Sequence, residues 1–441
     1  MSHYKPYPAY KDSGVEWIGE VPEGWEVKPL KVVVSCNDDS VSETAASATP
    51  IRYVDISAVS HNEGIGSTEA MLFGDAPSRA RRKAKTGDVI ISTVRTYLKA
   101  VAAVDDRYAD CVYSTGFAVL RARNGQVKPS FLKWLALNEL FIQSVESHSE
   151  GLSYPAINAP ELVNLKAVIP SLSEQTVIAS ILDRETARID ALISKKTRFI
   201  ELLKEKRSAL ITHAVTKGLD PNAKMKDSGV EWIGDVPAHW SVQPIKYLAS
   251  VGNGSTPSKD EDKYWENGTF PWLTSGCVNL EVVDSAEQFI THAALHECHL
   301  PIITPPAVLV GITGQGKTRG MASTLMIEAT INQHIAFLKP SSKNIRTEIL
   351  REFLNAAYEW LRFDSDGVGS TKGAITCEQL GNTRISLPLL SEQKGILDFI
   401  SRQTNRIDCL TSRTQRSIDL LKERRSALIT AAVTGQIDLR N

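Results

Sequence analysis

The sequence predicts an α+β protein with an internal pseudo-two-fold repeat: two mixed α/β domains separated by two long α-helices paired as an antiparallel coiled coil. Three observations carry this. Lys11-Asp12-Ser13-Gly14-Val15-Glu16-Trp17-Ile18-Gly19 returns residue for residue at Lys226–Gly234, and Pro170–Asp220 matches Pro388–Asp438. Between these constant blocks the two halves hardly resemble each other, so a duplicated frame holds two different inserts. The second constant block has a heptad seam and runs with no proline or glycine from Ser171 to Lys217, the mark of a long helix.

The elements follow in order. The lead blocks, Lys11–Lys31 and Lys226–Lys246, share Val21-Pro22, Trp25, Val27, Pro29 and Lys31 with Val236-Pro237, Trp240, Val242, Pro244 and Lys246. They hold too much glycine and proline for a long helix. Their four tryptophans are expected to pack against neighbouring parts rather than cage a ligand. The variable regions, about 32–166 and 247–384, contain apolar strand-like runs such as Gly87–Ser92 and Ala307–Val310 and helical stretches at Phe131–Val145 and Thr347–Phe363. Ser173-Glu174-Gln175 and Ser391-Glu392-Gln393 open the long helices, with Ser suited to the N-cap and Glu to the first turn.

Steps of four and three from Ile178 give Leu182, Glu185, Ile189, Leu192, Lys196, Phe199, Leu203, Lys206 and Leu210; the second copy runs from Ile396 through Ile400, Gln403, Ile407, Leu410 and Thr414 to Leu428. Two helices of about 40 residues at 1.5 Å each reach about 60 Å. They are too narrowly apolar to stand alone, and antiparallel pairing is the easiest to connect across a whole domain. That pairing would put the two variable domains at opposite ends of a rod. The lead blocks are offset by 215 positions and the helices by 218, so the dissimilar variable regions differ by only three residues in length. The expected divisions are 1–166, 167–220, 221–384 and 385–441.

Composition narrows the function. With 50 basic and 51 acidic residues the net charge is −1, which argues mildly against a bare nucleic-acid binder, although local patches can still meet phosphates. Arg79, Arg81, Arg82, Lys83 and Lys85 form one such patch; a solvated face is the plain alternative. No apolar run is long enough for a membrane span. The polar start of the chain shows no signal core, and six unpaired cysteines fit a reduced, cytoplasmic protein.

Two motifs invite other chemistry. Gly311-Ile312-Thr313-Gly314-Gln315-Gly316-Lys317-Thr318 satisfies the phosphate-loop pattern after a strand-like run. A true site needs a helix opening at Lys-Thr, whereas Arg319-Gly320 follows and Met321–Ile327 reads as a second strand. The favoured alternative is a hairpin tip presenting Gln315, Lys317 and Arg319, suited to close approach to DNA. His292, His296, Cys298 and His299 would cluster on a helix, but their spacing matches no standard zinc signature. No dinucleotide loop, nucleophile elbow or Asn-Pro-Pro-aromatic tetrapeptide is present.

The duplicated Lys-Asp-Ser-Gly-Val-Glu-Trp-Ile-Gly-x-Val-Pro-x-x-Trp block and the duplicated Ser-Glu-Gln helix ending Arg-Ser-Ala-Leu-Ile-Thr-x-Ala-Val-Thr closely resemble the specificity subunits of type I restriction–modification systems, over Lys11–Asp438. The resemblance implies that each variable region is a target-recognition domain reading one half of a split double-stranded DNA site. It implies that the long helices set the unread gap and that the chain catalyses nothing. Two methyltransferase subunits carrying S-adenosylmethionine and two ATP-driven motor-nuclease subunits would be its partners, with no cofactor on this chain. Because the inserts differ, the target should be two unlike half-sequences.

The expected DNA-facing residues are Arg79, Arg81, Arg82, Lys83, Arg95, Tyr97, Lys99 and Tyr154 in the first domain. In the second they are Ser255, Thr256, Lys259, Gln315, Lys317, Arg319 and Lys372. Tyr154 and Lys372 are included because Gly151–Ile157 and Gly369–Ile375 hold matched places before the long helices, where a structural turn is the alternative. A P-loop ATPase with a helical dimerisation arm is the competing function, separable at Lys317. A purely structural coiled-coil scaffold would leave the two dissimilar inserts without a reason.

Overall fold

The computed structural model describes residues 4–42, 44–314, 316–366 and 373–440. It divides into two compact units, Met1–Thr197 with Gln415–Asn441, and Arg198–Thr414.

In unit 1 the lead block forms a ribbon of Tyr10–Asp12 against Glu20–Pro22, then pairs Glu26–Pro29 with Lys166–Ile169. The insert between them holds two four-stranded sheets. One runs Val101–Ala103, Val89–Ser92, Phe117–Ala122, Val34–Cys36, all antiparallel; the other runs Glu69–Leu72, Pro50–Val54, Val112–Ser114, Ala80–Lys83 with one parallel pair. The expected strand at Gly87–Ser92 is the fully buried Val89–Ser92. Its helices are α1 (Leu30–Val33), α2 (Pro129–Ala136), α3 (Glu139–Ser147) and α4 (Ala159–Asn164), before the long α5 (Leu172–Lys217). The helical stretch expected over Phe131–Val145 is thus two helices. Asn138 breaks it, because its side chain accepts from the Leu140 amide at 3.1 Å and so caps α3.

Unit 2 repeats the plan with other strands. Its lead block forms Met225–Asp227 against Asp235–Pro237, and Ser241–Pro244 pairs with Arg384–Leu387. The insert has a five-stranded sheet in the order Ala249–Asn253, Ile335–Pro340, Ala307–Gly311, Ala322–Leu325, Val282–Val283, and a three-stranded sheet of Gln288–Ile290, Phe270–Leu273 and Thr330–Ile331. Its helices are α6 (His292–Glu297), α7 (Thr347–Ala356), α8 (Tyr358–Asp366) and α9 (Cys377–Asn382), before the long α10 (Leu390–Val433). Here too one expected helix, Thr347–Phe363, is two.

The long helices are shared between the units, and in each they pair antiparallel. The core of unit 1 combines Ile178, Ala179 and Leu182 from the start of α5 with Leu428, Ile429 and Ala431–Val433 from the end of α10. The core of unit 2 combines Ile211, Ala214 and Val215 from the end of α5 with Ile396 and Ile400 from the start of α10. Arg425 meets Asp190 across the seam of unit 1 at 2.9 Å, and Arg207 meets Asp408 across that of unit 2 at 3.4 Å. These two ion pairs join the same repeat positions.

The seam departs from the expected steps on one flank. Leu182, Ile189 and Leu203 are buried as expected, but Thr186 and Ile200 are buried where Glu185 and Phe199 were expected, and Leu192 and Phe199 are exposed. In the second helix Thr404 takes the place expected for Gln403, and Ile418, four residues beyond Thr414, is buried as well. From each heptad anchor the partner lies four residues on, not three; both choices keep a seven-residue period, so periodicity alone did not separate them.

The duplicated motifs meet each other in three dimensions. Trp25 and Trp240 are fully buried. Each donates its indole N–H to the motif glutamate of a long helix, Trp25 to Glu174 at 3.3 Å and Trp240 to Glu392 at 3.0 Å. The same glutamates cap the helices: Glu174 accepts from the Ser171 amide at 3.3 Å and Glu392 from the Leu389 amide at 3.1 Å. The capping serine of α5 is therefore Ser171, whose hydroxyl accepts from the Glu174 amide, and not Ser173. The next motif residue is buried. Gln175 accepts from the Lys128 amide at 2.8 Å and donates to the carbonyls of Gln126 and Pro170. Gln393 repeats this with the Arg346 amide at 2.9 Å and the carbonyls of Asn344 and Pro388.

Candidate nucleic-acid interface

Each variable domain carries a loop at the end of a buried strand, joined to the segment that precedes its last short helix; the two form its head. In unit 1 the first loop follows Val89–Ser92 and contains a tight turn, Thr96–Leu98, flanked by Arg95 at φ 52° and Lys99 at φ 50°. Left-handed backbone at two non-glycine residues is held only where surroundings enforce it. The second loop, Gly151–Pro155, enforces it: Val94 bridges Ala156, the Ile157 amide donates to Thr93 O at 2.9 Å, and the Thr96 hydroxyl donates to Ser149 Oγ at 2.9 Å. Gly151 at φ 111° lets this loop turn; a Cβ there would sit 3.2 Å from the carbonyl oxygen of Tyr154.

Unit 2 builds the same joint after Ala307–Gly311. Thr313 bridges Ala374, and the Ile375 amide donates to Ile312 O at 2.8 Å. The ends of the stretches singled out by matched position, Ala156–Ile157 and Ala374–Ile375, therefore pair with the loop of their own domain. From α8, the Tyr358 hydroxyl donates to Lys317 O at 2.8 Å and Arg362 donates to Gly316 O and Arg319 O at 2.6 and 3.2 Å.

The residues expected to face DNA divide into groups. Arg95, Tyr97 and Tyr154 are exposed on the first head, with the Arg95 guanidinium 5.1 Å from the centre of the Tyr154 ring. Lys99 belongs to the same loop, but its ammonium is tied to Glu139 and Glu146 of α3; hydrogen bonding to Glu139 lifts it above the ordinary lysine range. Arg79 lines a small cleft with Arg95 and is bound to Asp55 at 2.9 Å and to the Tyr53 hydroxyl at 3.1 Å. The basic run from Arg79 is not one surface, because strand alternation splits it. Arg81 lies over Phe73 at 4.8 Å, the Nε of Arg82 is buried, and Lys83 lines a separate apolar concavity with Val41, Ile51 and Met71.

In the second domain Lys317 is exposed on its loop. Arg319 is not presented as expected: it is 4% exposed and its guanidinium is held by Asp366 at 2.7 Å. Ser255 and Lys259 are exposed, and Thr256 hydrogen bonds to Gln333, whose neighbour His334 meets Thr313 Oγ1 at 2.7 Å. The Ser255–Lys259 segment is thereby linked to the Thr313 loop. Gln315 and Lys372 lie outside the described residues.

The phosphate-loop alternative does not match this geometry. No helix opens at Lys317–Thr318; a turn leads directly into the antiparallel strand Ala322–Leu325. Gly311, which opens the pattern, is paired as a hairpin residue: its amide donates to Met321 O, and the Gly320 amide beyond the pattern donates back to Gly311 O. The segment is the hairpin tip expected from sequence. His292 and His296 lie on the short α6 and Cys298 and His299 follow it; among the described residues no group of three or more His, Cys, Asp and Glu side chains is arranged to hold a metal ion.

Sequence reasoning missed the residues that hold the heads in place. Glu139 and Glu146 brace the loop of Lys99, Tyr358, Arg362 and Asp366 the loop of Lys317 and Arg319, and Asp55 holds Arg79. The available signal was positional: both braces come from the second helix of the helical stretch in each insert.

A family profile described as the type I restriction modification DNA specificity domain matches residues 22–202 and again 237–418. The chain is 22% identical over 441 residues to a protein of Methanocaldococcus jannaschii provisionally named the type I restriction enzyme MjaX specificity subunit, covering 96% of each. It is 24% identical over 254 residues to the EcoR124I/EcoR124II specificity subunit of Escherichia coli, covering 57% of this chain and 56% of that one. Among solved structures, it superposes with TM-score 0.76 and 22% identity on a chain from a structure showing complex assembly and conformational transition of the type I R-M system, covering 95% of this chain and 99% of that one. The HsdS subunit from Thermoanaerobacter tengcongensis follows at TM-score 0.53 and 24% identity, covering 95% and 98%. At these identities the solved structures establish the fold.

Proposed function

The chain belongs to the type I restriction modification DNA specificity family, and on that premise we propose that its two domains each read one half of a split, asymmetric double-stranded DNA target. It is a specificity subunit with two recognition domains and not a catalytic one. The observation that carries the two-part reading is the recurrence of one loop joint, Val94 to Ala156 and Thr313 to Ala374, on one repeated frame with different side chains. Arg95, Tyr97 and Tyr154 stand on one head and Lys317 on the other. Unlike heads on like frames call for unlike half-sites.

The same reading assigns the rest of the complex. Two methyltransferase subunits, bringing S-adenosylmethionine, and two ATP-driven motor-nuclease subunits dock on the repeated frame, while the shared helices set the unread gap. Repetition supports this, because the lead ribbon, the Trp–Glu contact, the Gln grip and the cross-seam ion pair each occur twice and so offer two equivalent surfaces. A net charge of −1 is compatible with DNA binding if the partners share the phosphate contacts. No helix among the described residues is long and apolar enough to cross a membrane, and we place the complex in the cytoplasm with the DNA it reads.

Adenine-methylation sequencing of the source cell, with and without this gene, tests the proposal. Loss of one gapped, asymmetric two-part motif is the expected result. An unchanged methylome in a cell whose methyltransferase partner is expressed would refute it.

A further inference from the structure

Among the described cations of the first head, Arg95 differs from its neighbours. Arg79 is paired with Asp55, and Lys99 with Glu139 and Glu146. Arg95 is exposed, and its one described side-chain contact is the face of Tyr154 at 5.1 Å. Its left-handed backbone, φ 52°, is set by the bridge from Val94 to Ala156 and the turn that begins at Thr96. Tyr154 stands on a loop closed by reciprocal bonds between Glu150 and Ala156, each 2.9 Å. Backbone and ring therefore both orient a guanidinium that no carboxylate among the described residues pairs with.

A stacked guanidinium keeps its edge free, and that edge is a rigid two-donor fork. The base that offers two acceptors side by side in the major groove is guanine, through O6 and N7. We propose that Arg95 is a specificity-determining residue that reads the guanine of a G·C pair in the half-site of the first domain, and that Tyr154 is a positioning residue that holds its fork. This assignment rests on the specificity-subunit reading above.

The test uses the full chain in its methyltransferase complex. Wild type should discriminate against replacement of one G·C pair by A·T by about 5- to 150-fold. Arg95→Ala should bring that ratio close to one while leaving every other position, and the whole second half-site, unchanged in both duplex competition and the methylome. Arg95→Gln, which keeps a polar side chain of similar reach, should move the preference toward adenine. Tyr154→Phe should retain the ratio, and Tyr154→Ala should lower it. Arg95 and Tyr154 are exposed, so the variant chains should melt with wild type.

A methylated motif lacking a G·C pair in either half would overturn the assignment. So would Arg95→Ala or Arg95→Gln weakening binding to all duplexes by one common factor with the motif intact, the mark of a phosphate contact. Failure of the underlying reading looks different: deletion of the gene would leave the methylome unchanged.

Discussion

Replacing Gln175 with Leu tests how a variable domain is fastened to its helix. The side chain is fully buried and makes three hydrogen bonds, all to main chain: from the Lys128 amide, and to the carbonyls of Gln126 and Pro170. Leucine nearly matches its volume and satisfies none of them. An unsatisfied buried group costs about 1–3 kcal/mol, and the carbonyls can recover part of this by small shifts. Greater apolar burial returns about 1 kcal/mol. The net loss is on the order of 3 kcal/mol, about a hundredfold in local opening. Hydrogen exchange read by mass spectrometry should show α2 and the segment before it losing protection by that factor in Gln175→Leu, with 344–356 unaffected. Gln393→Leu should do the reverse. Unchanged protection around Lys128, or equal loss in both units from either single substitution, would refute the idea that each glutamine is a local anchor.

Other outcomes follow from the same geometry. Acid should release the segment at Asp438 from Lys5: Asp438 accepts three bonds from Arg440, which hold its carboxyl below the ordinary carboxylate range, and its amide donates to Lys5 O at 2.7 Å. A depressed folded value means that the contribution is complete above about pH 4 and is lost as pH falls through and below that range. Amide protection near 434–440, taken relative to the intrinsic exchange rate at each pH, should therefore fall on acidification, and in Asp438→Asn it should already be low with no such transition; the same acid transition in that variant would sink the argument. Lys317→Ala should weaken DNA binding at one half-site and leave the chain as indifferent to ATP as wild type; measurable nucleotide binding that this substitution abolishes would revive the phosphate-loop reading. Asp190→Asn and Asp408→Asn should each cost only about 0.2–1 kcal/mol in urea unfolding, less at high salt, because both partners are part-exposed.

Much of this architecture was legible because duplication is a signal that side-chain physics does not blur. The long helices, their antiparallel sense, the strands Val89–Ser92 and Ala307–Gly311 and the hairpin at Lys317 all follow from periodicity, turn residues and repeat offsets. The seam flank was not legible. Thr186 and Thr404 are buried in place of Glu185 and Gln403, and nothing in a seven-residue period says whether the partner lies three or four positions on. In the site, exposure was easier to foresee than commitment. Arg95, Tyr97 and Tyr154 stand free on the head, whereas Lys99 and Arg319, equally basic and equally close in sequence, are spent on Glu139 and Asp366. An ion pair to a residue 40 or more positions away leaves no local trace in the chain.

The contacts that recur explain how one frame can carry unrelated readers. Gln175 and Gln393 grip Lys128 and Arg346, Gln126 and Asn344, pairs related by the helix offset but different in side chain. The grip does not sense that difference, because it takes only amides and carbonyls, which every residue except proline supplies in full. Trp25 and Trp240 are equally indifferent to the inserts: each ring meets the motif glutamate and a left-handed glycine beyond a helix end, Gly435 against Trp25 and Gly218 against Trp240. The glutamine grip places almost no constraint on the side chains at the positions it holds. Buried side chains of the insert, Phe131 and Trp134 in the first unit and Ile349 and Phe353 in the second, share a core with the frame and leave the exposed head loops free of both demands. The head loops can then change with little penalty in folding, and substitution at Arg95 or Lys317 should alter what is read without disturbing the repeated surfaces of the frame.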